Sequence, residues 1–151
     1  MQGRIINQDL PTVVANTIEH PGVEQCPHDF FTEQPIKGAQ VYYMRNVVHD
    51  WGNVKALRIL KNIVPAMTEG SDIWLDEFVV PDVGAIELQV NWDMTMLVSV
   101  NTTERSRTQW QRLLAEAGLS IKKIMEYNPG SGESMIRAVP AATVHSWLVT
   151  L

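Results

Sequence analysis

Val41-Tyr-Tyr-Met-Arg-Asn-Val-Val-His-Asp-Trp51 begins as an apolar run of β-branched and aromatic residues, breaks into His-Asp-Trp, and is followed at once by a long periodic segment. The run reads as a strand. From Gly52 to Met67, Leu57, Leu60, Ile63, Val64 and Met67 recur at three- and four-residue spacing, which predicts an amphipathic helix. A strand of this kind delivers His49 to the carboxyl end of a sheet, where open α/β folds collect ligands and reacting groups. A plain structural reading stands beside it, with His49 a satisfied strand-end residue and Asp50 a cap for the helix.

Towards the N-terminus, Arg4-Ile-Ile-Asn-Gln-Asp-Leu-Pro11 has the pattern of a buried parallel strand that closes on an acidic residue and a proline. Asp9 could accept both hydroxyls of a ribose, or it could cap a short helix over Thr12–Glu19. Val23 to Phe31 is a weaker strand candidate closing on Asp29-Phe30-Phe31, an acid and aromatics that suit the edge and face of a purine or, equally, a core. Pro35-Ile-Lys-Gly38 is a turn into the central strand.

Towards the C-terminus, Ser71 to Val80 is a further strand carrying Asp76-Glu77 in an apolar setting. A carboxylate buried there is costly unless it is partnered or faces a wet cavity, which makes Glu77 a site candidate. Ile86 to Val100 is apolar on almost every side and predicts a largely buried helix or pocket wall, with Asp93 the exception. Ser106 and Gln109 form a capping box ahead of a helix whose buried stripe is Trp110, Leu113, Leu114 and Ala117, and Glu104 lies in the loop before it. Ser120–Tyr127 and Glu133–Val139, separated by Asn128-Pro-Gly-Ser-Gly132, predict an antiparallel hairpin. Residues 141–151 are too apolar for a free tail.

The chain has 151 residues, 45% of them hydrophobic, which suffices for one domain over residues 1–151 and one core. Charged residues make up 19%, the net charge is -5, and no basic stripe tracks a phosphate backbone, so a nucleic-acid partner is not expected. One cysteine, Cys26, excludes an internal disulfide framework and offers no thiolate cluster, so no metal site is expected. No apolar run approaches the roughly 20 residues of a membrane span, and Met1-Gln-Gly-Arg4 lacks a signal-peptide plan. A reducing, cytoplasmic setting without membrane contact is the expectation.

In these ordered blocks the chain resembles the catalytic domain of the S-adenosylmethionine-dependent small-molecule O-methyltransferases of fungi and plants, the caffeate and hydroxyindole type, with the fungal branch closer. The resemblance runs from about Gly3 to Val139. It rests on Asp9-Leu10-Pro11, His28-Asp29-Phe30-Phe31, His49-Asp50-Trp51, Leu75-Asp76-Glu77 with Val79-Val80-Pro81, Asp93-Met94-Thr95-Met96, Glu104-Arg105 with Gln109-Trp110, and Ala117-Gly118-Leu119. It implies that His49 is the general base for a substrate hydroxyl, flanked by Glu77 and Glu104. It further implies ribose binding by Asp9, adenine contact by Asp29 and Phe30, a basic cofactor-side residue in Arg45, and an acceptor pocket lined by Asp50, Trp51, Asp93, Met94 and Met96.

The implied fold is an α/β, Rossmann-like methyltransferase sandwich with a mostly parallel sheet and a C-terminal antiparallel hairpin. It is incomplete, because no Gly-x-Gly-x-Gly precedes Asp9 and neither the first strand with its glycine-rich turn nor the helical dimerisation domain of the family is found. A missing central strand leaves unpaired edges. The gap is expected to close by direct pairing of the flanking strands, by insertion of residues near Val144–Leu151, or by exchange with a second copy. Three functions follow as expectations: O-methyl transfer to a hydroxyl of a small aromatic or polyketide-like metabolite with S-adenosylmethionine; cofactor-independent isomerase or pericyclase chemistry on the same scaffold; or a non-catalytic partner in a homo-oligomer or an assembly with a related chain.

Overall fold

Strand β1 (Ile5–Asp9) pairs in parallel with β2 (Val23–Pro27), and the two form a sheet of their own. The second sheet has the order β3-β4-β6-β5, built from β3 (Val41–Arg45), β4 (Asp72–Phe78), β5 (Leu119–Glu126) and β6 (Glu133–Pro140). Pairing of β3 with β4 is parallel, whereas β6 runs antiparallel to both β4 and β5. The computed structural model describes residues 3–141. The expected insertion of the C-terminal apolar segment therefore falls outside the described residues.

Helices lie mainly on one face of the larger sheet. The amphipathic stretch behind His49 forms α2 (Asn53–Ile63), after the minimal helix α1 (Pro11–Val14), and continues as a 3-10 turn over Val64–Ala66, where Pro65 ends the regular hydrogen bonding. Helix α4 (Arg107–Glu116) starts at the Ser106–Gln109 capping box read in the sequence. Ala56, Ile59, Leu60 and Ile63 of α2 and Trp110, Leu113 and Leu114 of α4 pack on Tyr42, Ile73, Leu75, Ile136 and Ala138 of the sheet, and this is the core. Trp110, fully buried, also donates from Nε1 to the Phe78 carbonyl at 2.9 Å, so its one polar atom is satisfied.

Several local expectations are corrected. The helix predicted over Thr12–Glu19 is only the four residues of α1. Asp9 does not cap it, because the Asp9 carboxylate accepts its own neighbour's N–H at Leu10, 2.7 Å away. Strand β2 stops at Pro27 and does not reach Phe31, since proline cannot continue a ladder as donor. Direct pairing of the strands flanking the gap does not occur, as β1 and β3 belong to different sheets. Instead, the segment after β2 bridges β1 and α2: the Gln34 and Gln8 side-chain amides bond reciprocally at 2.9 Å, Gln34 N donates to the Asn62 carbonyl at 3.2 Å, and Asn62 Nδ2 donates to the Phe30 carbonyl at 3.0 Å.

The largest departure is α3 (Glu87–Val100), expected to be largely buried. Only Gln89 and Met96 are buried; Val98 is 80% exposed, Met94 53% and Trp92 43%. Composition predicted burial correctly only in the sense that every face is apolar; among the described residues no second layer covers it. Its ends are nonetheless fixed. Gln89 accepts from Ile86 N and donates to the Gly130 carbonyl, and Asn101 in the left-handed region closes the helix.

This split between a filled core and an open helix is measurable. Leu60→Ala should cost about 2–5 kcal/mol in urea unfolding, whereas Val98→Ala should stay within about 0.5 kcal/mol of the parent. A large loss at Val98 would mean that α3 is covered in solution.

Candidate functional site

Strand β3 leaves the sheet at Asn46, whose positive φ of 49° suits asparagine and turns the chain into a short 3-10 segment, Val48–Asp50. The N–H groups of Val47 and Val48 have no ladder partner there. Glu77, at the end of neighbouring β4, supplies one: its Oε1 accepts from Val48 at 2.8 Å and from Val47 at 3.2 Å. The turn is thereby held so that His49 is buried, with its Nδ1 3.1 Å from Glu104 Oε1 and 4.0 Å from Glu77 Oε2. The sequence placed these three residues in separate segments, and the structure brings them together.

Glu104 sits in the loop between α3 and α4, yet it is only 3% exposed. Two features force the loop inward. Asp93 Oδ1 accepts the Glu104 N–H at 2.7 Å, and the loop bridges in parallel to Val80 through Val80 N to Arg105 O and Arg107 N to Val80 O. An ionised carboxylate only accepts, so opposite ionised Glu104 the shared hydrogen resides on His49 Nδ1, and in the neutral ring the lone pair is then on Nε2. Asp50 is the nearest acid to Nε2, at 3.6 Å. The alternative in which Asp50 caps α2 does not hold, because the cap is Gly52 and no side chain bonds there.

Burial and charge pull these groups in opposite directions. Burial lowers the His49 pKa, but the Glu104 hydrogen bond and the charges of Glu77, Glu104 and Asp50 outweigh it, and the net shift is upward. Burial pushes Glu77 up to about 7, against the His49 charge and the two backbone N–H groups that favour its carboxylate. One oxygen of each flanking acid, Glu77 Oε2 and Glu104 Oε2, is buried without a hydrogen-bond partner among the described residues.

The other predicted residues fall into three places. Trp51, expected in the acceptor pocket, lines a surface pocket with Asp50, Lys55, Val100 and Asn101, and its ring also meets Phe31 edge-on at 4.9 Å and Phe30 at 6.0 Å between ring centroids, under the Lys55 ammonium. Together with Asp29, which accepts the Phe31 N–H at 2.9 Å, these rings form a cluster beside the ends of β1 and β2. The β1 end is adjacent, since His28 N donates to the Asp9 carbonyl at 2.8 Å. Arg45 lies on the opposite face of the sheet, 3.5 Å from Asp76, so it joins neither group. Asp93 reaches the site through the Glu104 backbone. Met96 is buried and Met94 points outward, so the expected methionine pair does not share one wall.

Two features escaped the sequence reading. Asp76 is buried and accepts from the Tyr43 hydroxyl at 2.8 Å and the Tyr127 hydroxyl at 2.7 Å; burial and then the Asp76 bond raise the Tyr43 phenol, and the bond to the Asp76 carboxylate pushes Tyr127 up to about 12. Arg105, 4% exposed, donates to the carbonyls of Val48 and Trp51. Its position next to Glu104 was the available signal. Among the described residues, no group of His, Cys, Asp and Glu could hold a metal ion, and no helix is long and apolar enough to cross a membrane.

The raised Glu77 pKa fixes the sign of a stability effect. The fold favours protonated Glu77, so its contribution is fully present below pH 4.5 and is lost as pH rises through about 7. Glu77→Gln keeps an acceptor for Val47 and Val48 and carries no charge. Its stability relative to the parent should therefore improve by on the order of 3 kcal/mol between the two ends of that range. Urea unfolding at both ends checks it; a constant difference would remove the assignment.

With this geometry in place, the likenesses to known proteins can be read. Residues 2–120 match the model of the O-methyltransferase domain. The demethylsterigmatocystin 6-O-methyltransferase of Emericella nidulans is 38% identical over 140 residues, 93% of this chain and 68% of that protein. Methyltransferase cfoC of Aspergillus candidus is 43% identical over 136 residues, covering 89% of this chain but 33% of that protein. The chain thus spans about a third of the length of several curated relatives. Among solved structures, LepI in complex with SAM superposes with a TM-score of 0.85 at 35% identity, covering 91% of this chain and 36% of that one. OxaC in complex with SAH and oxaline gives 0.78 at 33%, covering 89% and 35%. The α/β architecture, the ordered blocks and these matches agree that the chain belongs to the O-methyltransferase domain family.

Proposed function

We propose that this domain carries the acid–base half of S-adenosylmethionine-dependent O-methyl transfer to a hydroxyl of a small aromatic or polyketide-like acceptor. The observation that carries this reading is the Glu104–His49 Nδ1 contact at 3.1 Å, which leaves Nε2 as a lone-pair acceptor. The acceptor hydroxyl gives its proton to His49 Nε2 as its oxygen forms the new bond to the methyl carbon. When bound, the cofactor supplies that methyl on a sulfonium sulfur, which departs as a neutral thioether. Glu104 keeps the ring in the productive tautomer, and Glu104 and Glu77 stabilise the imidazolium that forms. Asp50 beside Nε2 would orient the incoming hydroxyl.

The described residues suit the nucleoside part of the cofactor. One Asp9 oxygen is tied to Leu10 N, and the other is free to accept ribose hydroxyls. The Phe30–Trp51 cluster with Asp29 offers the face and edge contacts that adenine needs. The role expected of Arg45 would require its side chain to leave Asp76.

A second reading is favoured by one relative. One solved structure, described as a pericyclic reaction enzyme, superposes at a TM-score of 0.85 and 35% identity. On that reading the same His49 and carboxylates polarise a bound polyketide-like substrate without methyl transfer. The exposed apolar residues of α3 support a third element of the expectation, assembly with a second copy or a related chain.

Calorimetric titration with S-adenosylmethionine, paired with turnover of candidate phenols, tests the first reading. Saturable binding is expected, with His49→Gln lowering turnover about 10²–10⁴-fold while cofactor affinity stays unchanged. Because only neutral imidazole accepts a proton, turnover should rise as pH climbs through the elevated His49 pKa. Absence of binding would sink methyl transfer; turnover without a methyl donor would favour the second reading.

A further inference from the structure

His49 is held at its ring by Glu104, and the next residue in the chain reaches the backbone on both sides of the same histidine. Arg105 Nη1 donates to the Val48 carbonyl at 3.0 Å and Nη2 to the Trp51 carbonyl at 2.6 Å, while Nε donates to Asn53 Oδ1 at 3.2 Å. The guanidinium lies 5.2 Å from the centre of the buried Trp110 ring. Among the described residues, no carboxylate hydrogen-bonds to it directly. A buried cation that uses its donors on backbone carbonyls is costly unless the geometry is held well. Only a planar fork matches two carbonyls of one turn at once; a lysine ammonium on a flexible stem does not.

We propose that Arg105 is a positioning residue for His49. Its fork fixes the spacing between the Val48 and Trp51 carbonyls and so keeps the imidazole Nδ1 on Glu104. The turn is then clamped from two directions, since Glu77 takes the N–H groups of Val47 and Val48 and Arg105 takes the C=O groups of Val48 and Trp51. Because Glu104 and Arg105 are adjacent on a loop anchored to Val80 and Asp93, ring and backbone of the histidine are referenced to one rigid segment. Such a clamp matters because small misplacements of a reacting group cost large factors in rate. This inference rests on the reading of His49 as the base.

Nitrogen-15 NMR of the imidazole in the full chain tests it without cofactor or acceptor. In the parent, neutral His49 should carry its proton on Nδ1. In Arg105→Lys, a substantial Nε2–H population should emerge and the His49 pKa should fall by about one unit as the Glu104 bond weakens. Asn53→Ala, which removes only the Nε contact, should move both in the same direction by less. Ile136→Val, a methyl deletion in the core, should lower the melting temperature and leave the His49 spectrum as in the parent. Parent-like tautomer and pKa in a folded Arg105→Lys, or in Asn53→Ala if the lysine variant does not fold, would overturn the proposal. Once an acceptor is in hand, Arg105→Lys should reduce kcat by tens of fold with KM little changed. Loss of methyl transfer as a function would leave the NMR result standing, so the two readings fail separately.

Discussion

The site depends on one buried hydrogen-bonding arrangement, the capture of the Val47 and Val48 N–H groups by Glu77. A chain leaving the end of a parallel strand has amide donors with no ladder partner, and a buried unsatisfied donor is expensive. A carboxylate on the adjacent strand solves that problem and creates another, because its own charge is now buried. His49 and Arg105 lie close enough to offset it, and both see the Glu77 charge. Structural satisfaction of the turn and the electrostatics of the histidine therefore meet in one side chain, Glu77.

The layering of the domain explains how this site comes to lie near a surface. Helices α2 and α4 cover one face of the larger sheet, and the core is complete there. On the other face, Val41, Tyr43 and Tyr127 remain about half exposed, and α3 displays apolar residues around its circumference. Single exposed apolar residues are ordinary, but a helix apolar on all sides is built for company. The relatives are mostly about three times longer than the matched region, and α3, beside the Val48–Asp50 turn, is left largely uncovered among the described residues.

Much of the fold was legible before any coordinates. Strand β3 and helix α2 were carried by periodicity, the start of α4 by the Ser106–Gln109 box, and the β5–β6 hairpin by Pro-Gly-Ser-Gly between two alternating runs. The errors have physical causes. Proline at position 27 ended β2 early, and α1 stops at Val14, beyond which the Asn16 and Thr17 side chains bond the Thr12 and Val13 carbonyls. The burial of α3 was misjudged since an apolar composition states what a helix prefers to face, not what is present to face it. Within the site, Glu77 was visible as an acid in an apolar strand. Asp76 was visible in the same way and Arg105 as the neighbour of Glu104, but their partners were not, because a guanidinium on two carbonyls and a carboxylate under two phenols join segments far apart in the chain.

What the sequence by itself determined is the identity and order of the elements, and the presence of a histidine and two acids at strand and helix ends. Local periodicity and capping are encoded over a few residues, so they survive without knowledge of the rest. Which atoms meet was decided only by the tertiary structure. Residues 49, 77 and 104 are joined by a parallel strand pair and by an inward-bent loop, contacts between segments far apart in the chain. Those contacts also set which imidazole nitrogen is free. Proton position follows from the direction of a hydrogen bond, and that direction exists only once β4 and the α3–α4 loop have packed around the turn.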